Sequence, residues 1–220
     1  MNLSVTAILD LTHTQARSLL EQAKYPWEAL CGIGDQILEL GANLGEDYTH
    51  PQETVWIHKT AKVAPSAFIG EKVIIGPQTE VRHCAFIRGN ALIGAGCVVG
   101  NSTELKNVIL FDGVQVPHYN YVGDSILGYK AHLGAGAITS NVKGDRSLVV
   151  VKNGEERIQT GLKKFGAILG DRAEIGCGAV LNPGTVVGRE SNVYPLSMVR
   201  GVVQPNSIYK KQGEIVAKNR

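Results

Sequence analysis

Stepping by six from Ile57 gives Ile57, Val63, Ile69, Ile75, Val81, Ile87, Ile93, Val99, Leu105 and Phe111, ten apolar residues in succession. Apolar residues make up 44% of the chain, so such a run has chance odds of roughly one in a few thousand. The step resumes at Leu169 with Ile175, Leu181, Val187, Val193 and Val199. A period of six fits neither 3.6 nor 3.5, so helices are excluded through this region. An ordinary β-sandwich would need alternation by two with irregular turn spacing.

The period has a simple physical reading. Each hexad forms a short strand and a turn, the aliphatic side chain points inward, and three hexads close one triangular coil. Coils stack at about 4.8 Å, and each buries its core only against its neighbours. Glycine follows the aliphatic residue at Gly70, Gly76, Gly94, Gly100, Gly170, Gly176 and Gly188. The expectation is that these glycines, or small polar residues, occupy corners where positive φ is cheap. The predicted fold is therefore all-β: a left-handed parallel β-helix of about seven coils over 53–205.

The repeat is broken twice. Val122, Leu127 and Leu133 are spaced five and then six. From Leu148 to Thr160 it is lost altogether. There Asn153-Gly154 separates Leu148–Lys152 from Glu155–Ile158, a strong hairpin signal. An inserted hairpin near 148–160, projecting from one corner, is expected. Before it all, 1–52 reads as a short helical N-terminal segment. Leu30, Ile33, Ile37, Leu40 and Leu44 keep helical spacing on a helix that starts near Pro26. Asp10 or Thr12 suits the cap of an earlier helix through Leu20. A lid or a partner-contact arm is the natural role. The stretch 206–220, with Lys210, Lys211, Lys218 and Arg220, reads as a polar tail.

Composition bounds the function. A net charge of +2 gives no footprint for nucleic acid. No apolar run approaches the ~18 residues of a membrane span. The N-terminus lacks a signal-peptide pattern, and Cys31, Cys84, Cys97 and Cys177 form no CxxC pair. A cytoplasmic protein with reduced thiols is expected. His58, His83, His118 and His132 raise the thought of a hexapeptide carbonic anhydrase, but a His-x4-His pair is missing, and no metal is expected.

The irregular middle carries polar groups that the repeat does not need. His118-Tyr119-Asn120-Tyr121-Val122-Gly123-Asp124 follows Pro117, and Asn141 follows Gly134-Ala135-Gly136-Ala137-Ile138-Thr139-Ser140. Arg88 and Lys106 each follow an inward position, eighteen residues apart. That register stacks two cations on one face, suited to a phosphate. Two solvated surface charges would look the same in sequence.

These runs, with Thr160-Gly161-Leu162-Lys163-Lys164-Phe165-Gly166-Ala167-Ile168-Leu169-Gly170-Asp171, resemble the acetyltransferase domain of the bifunctional N-acetylglucosamine-1-phosphate uridylyltransferase and related sugar-phosphate nucleotidyltransferases. The resemblance covers about 55–205. It implies His118 as catalytic base, and Arg88, Lys106, Tyr121, His132 and Asn141 as contacts of a sugar phosphate. It also implies acetyl-CoA as donor and a homotrimer with sites between subunits. In this reading the backbone N–H near Ala135 holds an oxyanion, and Lys163 and Lys164 meet the phosphates of coenzyme A. Two departures stand out. Ser147 replaces a lysine of the family pattern, with Lys143 or Arg146 as substitutes, and His132 replaces an asparagine. The nucleotidyltransferase domain is missing from this sequence, which keeps a non-catalytic nucleotide-sugar-binding or assembly subunit as the alternative.

Overall fold

The computed structural model describes residues 1–211 and 213–218. It is a left-handed parallel β-helix whose three faces are built from in-register rungs. On the first face the inward ladder is Ile69, Ile87, Leu105, Val122, Thr139, Leu181 and Val199. On the second it is Ile57, Ile75, Ile93, Leu110, Leu127, Leu169, Val187 and Val203. The third-face strands begin at Lys62–Val63 and end at Ser207–Lys211.

The second and third faces carry eight rungs among the described residues, one more than the expected seven coils. The extra rung lies in the stretch read as a polar tail. Ser207–Lys211 pairs with the Asn192–Val193 strand, and Tyr209 is buried. Glu214–Ala217 then folds back antiparallel on it. Tyr48–Gln52 pairs antiparallel with Val55–His58 at the opposite end. Such pairing blunts the open edges of the solenoid. Gln212, Asn219 and Arg220 lie outside the described residues.

The broken register has a physical cause. Val99 pairs with Val116, and Leu105 with Val122, so the middle coils hold seventeen residues. Leu110, not Phe111, therefore takes the inward position opposite Ile93. One coil later Ser125 meets Ala167, 42 residues on. The excess is the loop 140–166, inserted at the corner between the first and second faces.

Its hairpin pairs Val150–Asn153 with Glu156–Gln159. The closing pair is Asn153 with Glu156, so the turn is Gly154-Glu155. It does not project. Val149 and Val151 are fully buried, and the first strand lies against Gly184 and Gly201 on the second face. Asn153 holds Met1 through both its carbonyl and its amide.

The glycine expectation also needs correction. Gly70, Gly76, Gly94, Gly100, Gly170, Gly176 and Gly188 are not at positive φ. They let coils approach: a Cβ on Gly100 would sit 1.5 Å from the Pro117 carbonyl oxygen. Positive φ falls instead on columns of larger residues. Lys72, Asn90, Asn107 and Asp124 form one, with φ between 47° and 55°. The corner between the third and first faces stacks Cys84, Ser102, Tyr119, Gly136, Gly178 and Leu196.

The N-terminal segment contains Val5–Ile8, Arg17–Glu21 and Ile33–Ala42 as α-helices, with 3-10 turns at Leu11–His13 and Pro26–Gly32. Asp10 caps the first of these turns by accepting from the Thr12 N–H. The segment is neither an end cap nor a free arm. It runs along the second face from the hairpin to the first coils. Arg189 donates to the Ile8 carbonyl, Asp112 donates its N–H to the His13 carbonyl, and Asn107 donates to the Leu30 carbonyl. Gly41 is pressed against the Trp56 ring.

The second face needs this cover. Its outward residues Ile74, Leu92, Ile109, Ile126, Ile168 and Val186 are as buried as the inward ones. Strands buried on both sides read as unbroken apolar runs.

Candidate functional site

The run from His118 to Asp124 leaves the third face, turns a corner and crosses the first face. His118 sits at the corner, exposed, and its side chain makes no hydrogen bond among the described residues. Its position is fixed from behind by Asn120. The Asn120 Oδ1 accepts from the His118 N–H at 3.1 Å, and Nδ2 donates to the carbonyls of Gly134 and Ala137 at 2.8 and 3.0 Å. Asn120 is buried, so these bonds are shielded from competing water.

Ala135 lies one coil beyond. Gly136 donates its N–H to the His118 carbonyl, and Gly178 to the Ala135 carbonyl. Ala135 is exposed, and among the described residues its N–H meets no acceptor. A histidine and an unused backbone donor thus share one edge of the first face.

The far edge of that face holds a compact polar cluster centred on Asp124, which is 4% exposed. Lys106 places its ammonium 2.9 and 3.0 Å from the two carboxylate oxygens. Asn107 donates to Oδ1 at 3.0 Å, and Asn141 donates to Oδ2. Tyr121 leans over Gly123, where a Cβ would meet the phenol oxygen at 2.5 Å and the Asn141 amide at 3.0 Å. Burial, with the carboxylates of Asp124 and Glu104 nearby, pushes the Tyr121 phenol up. It therefore stays a hydrogen-bond donor at neutral pH.

Lys106, Tyr121 and Asn141 meet in this cluster. Arg88 lies on its border but is not stacked on Lys106. The ladder bulges after Ile87, and Lys106 faces Gly89 instead. Gly89, with φ of 139°, absorbs the extra residue. Arg88 bonds Glu104 at 2.8 Å. Both cations are thus paired with carboxylates within the chain. Glu104, Asn107, Asn120 and Asp124 were not singled out in the sequence for these roles, although Asp124 closes the very run that attracts attention.

Other predicted residues lie elsewhere. His132 is on the third face, where Nδ1 meets Glu174 at 2.8 Å. It borders a groove lined by Gly134, Ile175, Cys177, Val193 and Tyr194. Lys163 and Lys164 are exposed and directly precede Phe165, whose N–H donates to the Asn141 carbonyl. They flank the far edge, across the face from Ala135. Lys143 bonds both Ser147 and Asp145. Among the described residues no three His, Cys, Asp or Glu groups assemble into a metal site, and no helix is long and apolar enough to cross a membrane.

Known proteins can now be set beside this geometry. The chain is 31% identical over 190 residues to the bifunctional protein GlmU of Methanococcus aeolicus, covering 78% of this chain and 46% of that protein. It is 29% identical over 175 residues to a bifunctional sugar-1-phosphate nucleotidylyltransferase/acetyltransferase of Sulfurisphaera tokodaii, covering 79% and 44%. The chain thus spans less than half the length of these relatives. Among solved structures, the acetyltransferase domain of PglB from Neisseria gonorrhoeae in complex with acetyl coenzyme A matches with a TM-score of 0.33 and 20% identity, covering 79% and 60%. The model of the GMPPB C-terminal domain matches residues 77–213, and the chain belongs to that family, with bifunctional GlmU proteins among its relatives.

Proposed function

We propose that the chain transfers an acetyl group from acetyl-CoA to the amino group of an amino-sugar phosphate, of which glucosamine 1-phosphate is one example. The observation that carries this reading is the course of His118–Asp124. It puts the exposed His118 one coil from Ala135 on one edge of a face and ends at the Lys106–Tyr121–Asn141 cluster on the other.

The chemistry follows from the parts. The acceptor amine attacks the thioester carbonyl carbon, and His118 takes the proton the nitrogen sheds, a role suited to an imidazole. The Ala135 N–H stabilises the oxyanion of the tetrahedral intermediate. The C–S bond then breaks, and the coenzyme A thiolate leaves as the thiol by taking the proton back from His118. Arg88, Lys106, Tyr121 and Asn141 hold the acceptor. Its phosphate takes Arg88 and Lys106 by displacing Glu104 and Asp124, so binding is an exchange of anionic partners. Lys163 and Lys164 serve the phosphates of coenzyme A.

His132 supports a homotrimer. Within one chain it lies on a different face from Tyr121 and Asn141. A three-fold arrangement that apposes a first face to a neighbour's third face would let one acceptor touch both. Light scattering that reports a monomer at micromolar concentration would end this part of the proposal. The four unpaired cysteines suit a reducing, cytoplasmic setting.

Two observations favour a second reading, a non-catalytic subunit that binds nucleotide sugars or organises an assembly: both cations are already neutralised, and Ser147 stands in place of a lysine. Thiol release from acetyl-CoA across a panel of amino-sugar phosphates separates the two. Acceptor-dependent release that disappears in His118→Ala supports the enzyme. Sugar binding without release supports the scaffold.

A further inference from the structure

The acceptor cluster touches the N-terminal segment at two independent points. At the first, Asn107 Nδ2 spends its two hydrogens on two acceptors: the Leu30 carbonyl at 3.2 Å and Asp124 Oδ1 at 3.0 Å. The flipped amide would set its oxygen against both, so the orientation is determined. Asn107 has φ of 55°, a conformation asparagine tolerates better than most residues. At the second, Trp27 stacks on Phe165 with ring centroids 5.7 Å apart and planes at 30°. Both rings are essentially fully buried. The Phe165 N–H donates to the Asn141 carbonyl at 2.9 Å. Leu30 thus braces Asp124 through Asn107, and Trp27 braces Asn141 through Phe165. Asp124 and Asn141 are in turn bonded to each other.

We propose that the Pro26–Gly32 turn is a positioning element of the acceptor site, fixing Asp124 and Asn141 through Asn107 and Phe165. This rests on the acceptor reading of the cluster. Asn141 stands at the start of the inserted loop 140–166, and such a loop has no repeat of its own to hold its first residues in place. The braces come instead from the segment that covers the second face. Nothing in them reaches His118 or Ala135, which sit across the first face. Loosening the braces should therefore weaken acceptor binding and leave the His118–Ala135 edge intact.

The test uses the full chain and four variants. Asn107→Gly keeps the backbone conformation and deletes the brace. Trp27→Ala deletes the second brace, and Trp27→Phe restores an aromatic stack. Arg189→Ala is the control, because it frees the same segment elsewhere, at the Ile8 and Thr6 carbonyls. Calorimetric titration with glucosamine 1-phosphate should give a dissociation constant at least 10-fold higher for Asn107→Gly and Trp27→Ala. Trp27→Phe should recover most of the loss, and Arg189→Ala should bind as wild type while melting lower. Acetyl-CoA affinity should be unchanged in Asn107→Gly, whose brace does not run through Phe165 and the neighbouring Lys163 and Lys164.

Amide exchange gives a ligand-free readout. The Phe165 amide should exchange at least 10-fold faster in Trp27→Ala and Asn107→Gly, and not in Arg189→Ala. Equal weakening in Asn107→Gly, Trp27→Ala and Arg189→Ala, or unaltered Phe165 exchange in the two brace variants, overturns the proposal. A wild-type chain that binds no amino-sugar phosphate overturns the acceptor reading itself, and the exchange rates still decide whether the turn braces the cluster.

Discussion

Lys106 and Asp124 form a two-oxygen ion pair, 2.9 and 3.0 Å, on the edge of the first face where the carboxylate is nearly sealed from water. Removing one partner of such a pair strands the other. Asp124→Asn should cost about 2–4 kcal/mol, because it also turns an acceptor of three donors into a partial donor. Urea denaturation measures the loss. Lys106→Met combined with Asp124→Asn should recover part of it, with a coupling of about 1 kcal/mol or more. An Asp124→Asn chain as stable as wild type would show that the cluster is not organised around this carboxylate.

His118 and Asn120 are two residues apart and should behave in opposite ways. His118 is exposed and its side chain is unbonded among the described residues, so His118→Ala should hardly move the melting temperature. Turnover should fall roughly 10²- to 10⁴-fold, the share that general base catalysis supplies. Asn120→Ala removes three hydrogen bonds, two of them buried, which predicts a stability loss of about 2–4 kcal/mol. Turnover per folded molecule is then a secondary matter. Near-normal turnover in His118→Ala would remove it from the role of base.

Much of the architecture was legible because inward residues must be aliphatic. From Ile69 to Leu105 the inward ladder is the hexad series itself. Two features escaped. The seventeen-residue coils move the inward position from Phe111 to Leu110, and a fixed step of six cannot see a one-residue deletion. The covered face was written in the sequence, in Val73-Ile74-Ile75, Ala91-Leu92-Ile93 and Val108-Ile109-Leu110. A period of six samples only the last residue of the first two triplets and none of the third. The cluster was harder to see. Asp124 and Asn107 earn their places through positive φ and the approach of Leu30, and neither is visible without the fold.

Ile109 turns that observation into a measurement. It points away from the solenoid interior, yet it is fully buried beneath the N-terminal segment. Ile109→Ser should therefore cost about 2–4 kcal/mol, as a core substitution does. Lys62→Ser, at an exposed position on the third face, should stay within about 0.5 kcal/mol. Equal, small effects at both sites would mean that the second face is not covered in solution.

Cys97 supplies a prediction in pH. It is buried, with its Sγ 3.1 Å from the Phe111 carbonyl oxygen, and burial pushes the thiol up to about 12. In the unfolded chain a cysteine titrates near ~8.5. The folded state therefore holds this proton more tightly. Its contribution to stability is fully present below about pH 8.5, and it is lost as pH rises from there toward about 12. In that window the slope due to this one group is about −1.4 kcal/mol per pH unit. Lysines and tyrosines titrate in the same range, so the variant Cys97→Ala isolates the thiol. Urea denaturation at pH 7.5, 9 and 10 should show the wild type losing its advantage over Cys97→Ala as pH rises. Native-state labelling with a thiol reagent at pH 8 should modify the exposed Cys31, Cys84 and Cys177 and reach Cys97 only in denaturant. A pH-independent stability difference, together with rapid labelling of Cys97 in the folded chain, would show that the coil interior at this level is open to water.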